Sequence, residues 1–235
     1  SNIESESGMV VERRFTSAGQ DPFESFEWIE MDVQIRNPDG SMADSLEGVK
    51  LPSGFSGVPG TVCAQKYLRK AGVPKYLRTV PEDGVPIWLQ RSEPDHERLQ
   101  TVDAAERMGG EIDGRQLFRR LAGTWTYWGW KYGYFASEAD ARAYFDEMCY
   151  LIASQRSAPN SPQWFNTGLH WAYGIEGPAQ GHSYVDPDTG ELGKSTNAYE
   201  HPQPHACFIQ SVSDSLVGGT DSIMGLWNRE ALLFK

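Results

Sequence analysis

A cysteine at the start of an apolar run carries the most informative chemistry in this sequence. Cys207 lies in PHACFIQSV, and the alternation around it predicts a short strand over His205–Val212. Most lone cysteines are small buried apolar side chains. The other interpretation is a redox-active or nucleophilic thiol beside a substrate site, which requires access to the thiol. Burial of Cys207 without an adjoining cavity would exclude the second interpretation.

The other two cysteines are predicted to pack. Cys63 and Cys149 both fall on apolar faces of predicted helices. Three cysteines far apart in the sequence do not form the disulfide framework of a secreted protein. We therefore expect a protein of the reducing cytoplasm.

Histidines near Cys207 open a second possibility, a zinc site. His182, His201 and His205 with Cys207 supply the imidazole and thiolate ligands that zinc prefers. Two prolines between the last two histidines prevent a helix from presenting both on one face, and the sequence has no Cys-x-x-Cys pair. We expect no metal ligands in this chain and keep a zinc-stabilised interaction domain as an alternative.

Two further segments could bind ligands. The aromatic block TWTYWGWKYGYF, residues 124–135, could stack on a sugar ring or a base, or fill a core. In SAPNSPQWFNTG, residues 157–168, Ser161 and nearby backbone amides could hold an anion, or the segment could be a tight turn. The sequence has no Gly-x-Ser-x-Gly around Ser161, no phosphate loop and no dinucleotide fingerprint.

The composition describes an ordinary folded protein. The chain has 235 residues, 39% of them apolar, with 8 Trp, 10 Tyr and 10 Phe, which disfavours extensive disorder. Its net charge of −11 disfavours a role in coating nucleic acid. No apolar run is long enough to span a bilayer, and the acidic amino end is unlike a secretory signal.

Several elements should position these groups. Periodicity and capping residues predict a strand over Trp28–Ile35 followed by a turn at Asn37–Gly40, and four helices. The helices are expected at Thr61–Ala71, at Gly114–Leu121, after a cap formed by Ser137 with Asp140, and from Asp221 or Ser222 onward, with Ile223, Leu226, Trp227 and Phe234 on its buried side.

Taken together, the motifs resemble a known family. The chain looks like the adenosylcobalamin-dependent, class II ribonucleotide reductases over most of its length. The resemblance rests on RRFTSAGQDPFESFEW (13–28), CAQKYLRKAGVP (63–74), KYGYFASEADA (131–141), SAPNSPQWFNTGLHWAYGI (157–175), PQPHACFIQSVSDSL (202–216) and DSIMGLWNREALLFK (221–235).

The resemblance implies an α+β protein, with a mainly helical amino-terminal domain leading into the first elements of a ten-stranded α/β barrel. An extended amino-terminal segment would cover 1–52 and the helical domain 53–157. The start of the catalytic barrel would cover 158–235, with the substrate loop, first strand and effector helix. We expect the sequence to be the amino-terminal portion of a longer protein, inactive alone.

The resemblance also assigns roles to residues. Cys207 would be one of two cysteines that become a disulfide as the ribose loses its 2′-hydroxyl. Ser161, Ala206 and Cys207 would contact the substrate, and Asp214 and Ser215 would bind a deoxynucleoside triphosphate effector. The radical-bearing cysteine and most of the cobalamin site would lie outside this sequence.

The implied partners follow from the same resemblance. They are adenosylcobalamin, a ribonucleotide substrate (expected to be a diphosphate), the effector at a dimer interface, and a dithiol reductant such as thioredoxin. We expect a cytoplasmic homodimer with no membrane partner. The alternative of a different class is a stand-alone module that binds a sugar or a base through residues 124–135.

Overall fold

The chain combines helices with short antiparallel ribbons, which confirms the predicted α+β class. The computed structural model describes residues 8–179 and 181–233. None of the described helices is long and apolar enough to cross a membrane. The α-helices are α1 (Val58–Val62), α2 (His96–Leu99), α3 (Gly114–Lys131), α4 (Glu138–Ala153), α5 (Ser161–Asn166), α6 (Leu169–Tyr173) and α7 (Ile223–Leu233). The strands are β1 (Trp28–Arg36), β2 (Met42–Pro52), β3 (Val73–Pro74), β4 (Leu77–Thr79), β5 (Ser92–Pro94), β6 (Met108–Gly109), β7 (Ser183–Val185) and β8 (Leu192–Lys194).

The longest ribbon is the β1–β2 hairpin. The strand and turn predicted from the sequence are confirmed, and β1 pairs antiparallel with β2, with Met31 opposite Val49. Val33 and Leu51 are buried against the helices. Residues 42–48, the first part of β2, do not alternate between apolar and polar side chains, so their sequence alone does not predict the strand. The remaining ribbons pair β3 with β6, β4 with β5, and β7 with β8.

Helix α3 starts where the sequence predicts and runs further. The side chain of Asp113 accepts a hydrogen bond from the Arg115 N–H, and that of Gln116 accepts one from the Asp113 N–H, a capping box. The predicted end at Leu121 is wrong, because the helix continues to Lys131 through most of the aromatic block.

Helix α4 packs on α3 and completes the main core. Ser137 is its N-cap, as predicted, with the Asp140 N–H donating to Ser137 Oγ at 3.2 Å. The core cluster comprises Phe23, Val33, Val49, Leu51, Phe55, Cys63, Ala64, Leu68, Leu117, Phe118, Leu121, Ala122, Phe145, Cys149, Ile152, Ala153 and Trp164.

Two glycines allow the short helices to approach α3. A Cβ on Gly123 would lie 2.2 Å from the Trp171 ring of α6. Gly168 has φ +87°, and a Cβ there would lie 2.2 Å from the Arg120 carbonyl oxygen. Close packing of 161–173 on α3 therefore depends on the absence of side chains at both positions.

The helix predicted over Thr61–Ala71 has different bounds. The structure has α1 and then a π-helical turn over Cys63–Tyr67, after which Leu68 is extended. Glu111 accounts for the early end: the Arg69 N–H donates to Glu111 Oε2 at 2.8 Å, and the Glu111 N–H donates to the Arg69 carbonyl. The Arg69 N–H would donate to a backbone carbonyl in a longer helix; here it donates instead to the buried Glu111 carboxylate, which is distant in sequence.

The segment before β1 is held against α4 by a buried carboxylate. Glu147 Oε1 accepts hydrogen bonds from the Thr16 N–H at 2.9 Å, the Thr16 hydroxyl at 2.6 Å and the Phe15 N–H at 3.1 Å. Burial opposes ionisation of Glu147, but these hydrogen bonds outweigh it and hold its pKa below the ordinary value. Asp146 adds an ion pair with Arg13 at 2.8 Å.

This attachment should weaken in acid. Because the folded-state pKa of Glu147 is lowered, its stabilisation is complete above the unfolded-state pKa and is lost as the pH falls through the folded-state pKa. Protection factors of the Phe15 and Thr16 amides in hydrogen exchange should be constant from pH 7 to about pH 5 and fall in more acidic buffer. Glu147→Gln should reduce them at pH 7 and flatten the pH dependence, whereas Glu138→Gln should not. Protection that is unchanged down to pH 3 would contradict this role.

Residues 205–233 differ most from the sequence-based expectations. The strand predicted over His205–Val212 is not formed, and Ile209 in its centre is fully exposed. Ser222 caps α7 as predicted, its Oγ accepting from the Gly225 N–H at 3.1 Å. The predicted buried side of this helix is wrong, because α7 buries none of its residues and Trp227 is 69% exposed. Phe234 lies outside the described residues. A strand needs a neighbouring strand, and the described residues offer none here.

Candidate functional site

Ser161 is exposed at the first position of α5. The helix is capped by Asn160, whose side chain accepts from the Gln163 N–H at 3.3 Å. The Tyr67 hydroxyl lies 3.4 Å from Ser161 Oγ, and the Tyr67 ring stacks on Trp164 with centroids 5.2 Å apart. The Ser161 hydroxyl is therefore open to a ligand while its helix is anchored beneath.

A buried ion pair provides that anchor. Arg120 of α3 and Glu111 have fully buried side chains, and Arg120 Nε donates to Glu111 Oε1 at 2.7 Å. Two more guanidinium N–H groups donate to the carbonyls of Trp164 at 2.9 Å and Thr167 at 2.7 Å. Buried charges are tolerated when paired and hydrogen-bonded in this way. Arg120 thus sets the position of α5, and of Ser161 on it, relative to α3.

Glu111 extends the same network to other segments. Its Oε1 accepts from the Tyr173 hydroxyl of α6 at 2.8 Å, and its Oε2 accepts from the Arg69 N–H. Burial, and then the charge of Glu111, raises the pKa of Tyr173, which keeps its hydroxyl a proton donor. The Glu111 carboxylate is therefore hydrogen-bonded to three separate parts of the chain: the backbone at Arg69, helix α3 and helix α6.

The three cysteines have different environments. Cys207 is exposed, whereas Cys63 and Cys149 are buried, as predicted for packing residues. Burial raises the pKa of Cys63 to about 12, with a further contribution from Glu111, and burial also raises the pKa of Cys149. Because the thiolate is the reactive form, both buried thiols are unreactive. Within this chain Cys207 is therefore accessible and does not pack as a small buried apolar residue.

Ala206 and Cys207 lie on an exposed, irregular segment. No hydrogen bond or ion pair connects either residue to Ser161 within the described part of the chain. The two segments nevertheless border one cavity, because His205 and residues 157–159 both line it. The structure therefore places neighbours of the predicted substrate residues around one cavity.

Asp214 and Ser215 lie in a loop that closes on itself before α7. The Ser213 N–H donates to the Asp221 carbonyl at 2.7 Å, and the Ile223 N–H donates to the Ser215 carbonyl at 3.0 Å. The Asp214 side chain is exposed. The loop thus presents a carboxylate to solvent.

A cavity of about 1100 Å³ lies against the aromatic block, and we refer to it as the aromatic cavity. The block divides between two roles. Trp125 Nε1 donates to Gln163 Oε1 at 2.8 Å, and Trp130 Nε1 donates to the Gly84 carbonyl at 2.7 Å. Trp125 also lines the cavity, whereas Trp130 does not; the other lining rings are Tyr127, Trp128, Tyr132, Tyr134, Phe135, Tyr144, Trp171, Tyr184 and Tyr199.

The histidines considered for zinc are engaged otherwise. A ring nitrogen of His182 is hydrogen-bonded to the His201 carbonyl, and the Tyr184 ring stacks on the His201 ring at 3.6 Å. Across residues 8–179 and 181–233, no three or more His, Cys, Asp or Glu side chains are grouped so that they could hold a metal ion.

Comparison with known proteins identifies the family. A family model described as class II vitamin B12-dependent ribonucleotide reductase matches residues 30–155. The chain belongs to this family. The family match confirms the resemblance seen in the sequence motifs. The family match also favours a chain that belongs to a reductase over the alternative of a stand-alone module that binds a sugar or a base.

Related vitamin B12-dependent ribonucleotide reductases align with nearly the whole chain. That of Agrobacterium fabrum is 59% identical over 227 residues, and that of Bradyrhizobium diazoefficiens is 56% identical. That of Rhodopirellula baltica is 30% identical over 229 residues. Each alignment covers 97% of this chain and 18% of the relative, so the chain spans less than a fifth of the length of these reductases.

Two features of the structure are not predicted by the sequence patterns. The Glu111–Arg120 pair lies inside the matched range, and one signal was available, since position 120 falls on the apolar face defined by Leu117 and Leu121. The aromatic cavity was missed because one wall comes from residues 182–205, far from the aromatic block in the sequence.

Proposed function

We propose that this chain is the amino-terminal part of an adenosylcobalamin-dependent enzyme that reduces ribonucleoside diphosphates to 2′-deoxyribonucleotides. The observation that carries the proposal is the accessible thiol of Cys207, in the segment PHACFIQSV of a chain that belongs to the class II reductase family. The other two thiols are buried and unreactive.

Cys207 would supply half of the reductant. Loss of the 2′-hydroxyl as water and its replacement by hydrogen consume two electrons and two protons. Two thiols that become one disulfide provide both. The second thiol of the pair would lie outside this chain. A dithiol protein such as thioredoxin would then reduce the disulfide by exchange, which requires the exposure that Cys207 has.

Residues 158–235 would be the start of a ten-stranded α/β barrel, after an extended segment (1–52) and a helical domain (53–157). The apolar run after Cys207 supports this proposal. Phe208 and Val212 are 45% and 49% exposed and Ile209 is fully exposed, a pattern suited to a strand whose neighbours lie elsewhere. Within the barrel, 205–212 would form the first strand.

Substrate and effector would bind at the predicted residues. The open hydroxyl of Ser161, with Ala206 and Cys207, would contact the ribonucleotide. Asp214 and Ser215, in the exposed loop before α7, would contact a deoxynucleoside triphosphate at the interface of a homodimer. We place the enzyme in the cytoplasm, where thiols are kept reduced.

The described residues do not fit the whole cofactor. The nucleotide tail of cobalamin carries a phosphate, whereas the aromatic cavity is lined by Asp186, Asp188 and Glu200, and the lysine and the arginine in its lining are already in ion pairs. We therefore propose that the cobalamin site lies mostly outside this chain. The bound cofactor would supply the initial radical.

Ser161→Ala tests the substrate role. In the complete reductase with adenosylcobalamin, the KM for the ribonucleoside diphosphate should rise roughly two- to tenfold with little change in kcat, the effect of one lost neutral hydrogen bond. Ser154→Ala, at the end of α4, should leave both constants unchanged. An unchanged KM in Ser161→Ala would remove Ser161 from the substrate site.

A further inference from the structure

Tyr67 reaches Ser161 from the π-helical turn over Cys63–Tyr67. The Leu68 N–H closes this turn by donating to the Cys63 carbonyl at 3.2 Å. The Tyr67 hydroxyl lies 3.4 Å from Ser161 Oγ. Single π-helical turns are rare and occur frequently at functional sites. Tyr67 is therefore a candidate for a role beside the proposed substrate residue, a role that the sequence motifs do not assign.

One buried guanidinium fixes the π-helical turn and α5 relative to each other. Nη2 of Arg120 donates both to the Tyr67 carbonyl at 3.2 Å and to the Trp164 carbonyl at 2.9 Å. The Arg120 side chain is fully buried in its ion pair with Glu111. Because both carbonyls bind the same nitrogen, a group that solvent does not reach sets the position of Tyr67 against the helix that carries Ser161.

The Tyr67 ring is held on the same helix by stacking. It lies on the Trp164 ring with centroids 5.2 Å apart and planes 21° apart, and its centroid is 5.7 Å from that of the exposed Phe165 ring. Aromatic pairs at these separations attract each other beyond the effect of area burial. The stacking restricts rotation of the Tyr67 ring, so the hydroxyl at its far end stays beside Ser161 Oγ.

The chemistry of the two hydroxyls determines which of them donates. A phenol is a stronger hydrogen-bond donor than an aliphatic alcohol, so the Tyr67 O–H donates and Ser161 Oγ accepts. Ser161 then keeps its own proton for a ligand, and a hydroxyl that accepts one hydrogen bond donates a second more strongly. A separation of 3.4 Å is long for two hydroxyls. Hydrogen bonds in active sites are often long before the ligand binds and shorten in the complex.

From these observations we infer that Tyr67 is a positioning residue for Ser161. Its hydroxyl donates to Ser161 Oγ and directs the Ser161 proton toward an acceptor oxygen of the bound ribonucleotide. The inference rests on the proposed substrate role of Ser161 and adds to it a residue that lies 94 positions earlier in the chain. Tyr67 acts through Ser161 and makes no contact of its own with the substrate.

A double-mutant cycle in the complete reductase with adenosylcobalamin tests the inference. Tyr67→Phe removes the hydroxyl and keeps the ring, so the KM for the ribonucleoside diphosphate should rise about two- to fivefold with kcat unchanged. In a Ser161→Ala background the same change should have no further effect, because the group through which Tyr67 acts is already absent. Tyr76→Phe is the matched control: it removes a phenolic hydroxyl from a ring that packs against Arg98, and it should leave KM unchanged.

The outcomes separate this inference from the proposed function. A raised KM in Ser161→Ala with an unchanged KM in Tyr67→Phe would overturn the positioning role and leave the substrate role of Ser161 intact. A Tyr67→Phe effect that persists in the Ser161→Ala background would also overturn the positioning role, because it would show a direct contact with the substrate or a purely structural role. An unchanged KM in Ser161→Ala would overturn the substrate role itself, and this inference with it.

Discussion

A complete reductase carrying Cys207→Ser should lose multiple turnover with a dithiol reductant, with product formation falling to background after at most one turnover. Serine cannot form a disulfide, so the two electrons needed at the ribose cannot be delivered through this position. Serine is nearly the same size, and Cys207 is exposed, so folding should be unaffected. The measurement is deoxyribonucleotide formed per enzyme over time, with the reductant in excess.

The buried cysteines provide the control for this prediction. Cys63→Ala and Cys149→Ala should lower stability but retain turnover at a temperature where they are folded, because neither thiol is reachable. Brief alkylation of the native protein should modify Cys207 far faster than either of them. Sustained turnover by Cys207→Ser would remove this residue from the reductive step, while family membership would stand.

Parts of the fold were predictable where local signals decide the structure. The alternation of β1, the turn after it, the start of α3 and the cap of α4 depend on neighbours in sequence. Distant contacts decide the rest. The helix over 58–67 ends early because Glu111 binds the Arg69 N–H, and β2 forms because β1 lies beside it.

The candidate site was predictable to a similar extent. Ser161 and Cys207 are singled out by their residue types and sequence surroundings, the resemblance gives them roles, and the structure leaves both accessible. Alternation of apolar and polar residues predicts a strand over 205–212. The alternation determines which side chains share a face, but a strand also needs a neighbouring strand whose backbone groups pair with its own. The described residues contain no strand beside this segment, so its backbone N–H and C=O groups form no β-ladder.

We expect a large loss of unfolding free energy when the buried Glu111–Arg120 ion pair is broken. Arg120→Met removes the cation and leaves the Glu111 carboxylate buried without its partner. The carbonyls of Trp164 and Thr167 lose their donors as well. Breaking one side of a buried pair costs about 3–5 kcal/mol of unfolding free energy. Urea unfolding of the chain, followed by tryptophan fluorescence, should show a loss of this size.

Two comparisons make this last prediction specific to burial. Lys75 and Glu106 form an ion pair at a similar distance, 2.8 Å, but both side chains are exposed, so Lys75→Met should change stability little. Arg120→Met combined with Glu111→Leu should be less destabilising than the sum of the two single variants, because the double variant leaves no lone buried charge. An additive double variant, or a loss for Arg120→Met no larger than for Lys75→Met, would show that the pair does not hold α5 in place. In that case the position of Ser161 would depend on the stacking of Tyr67 and Trp164 instead.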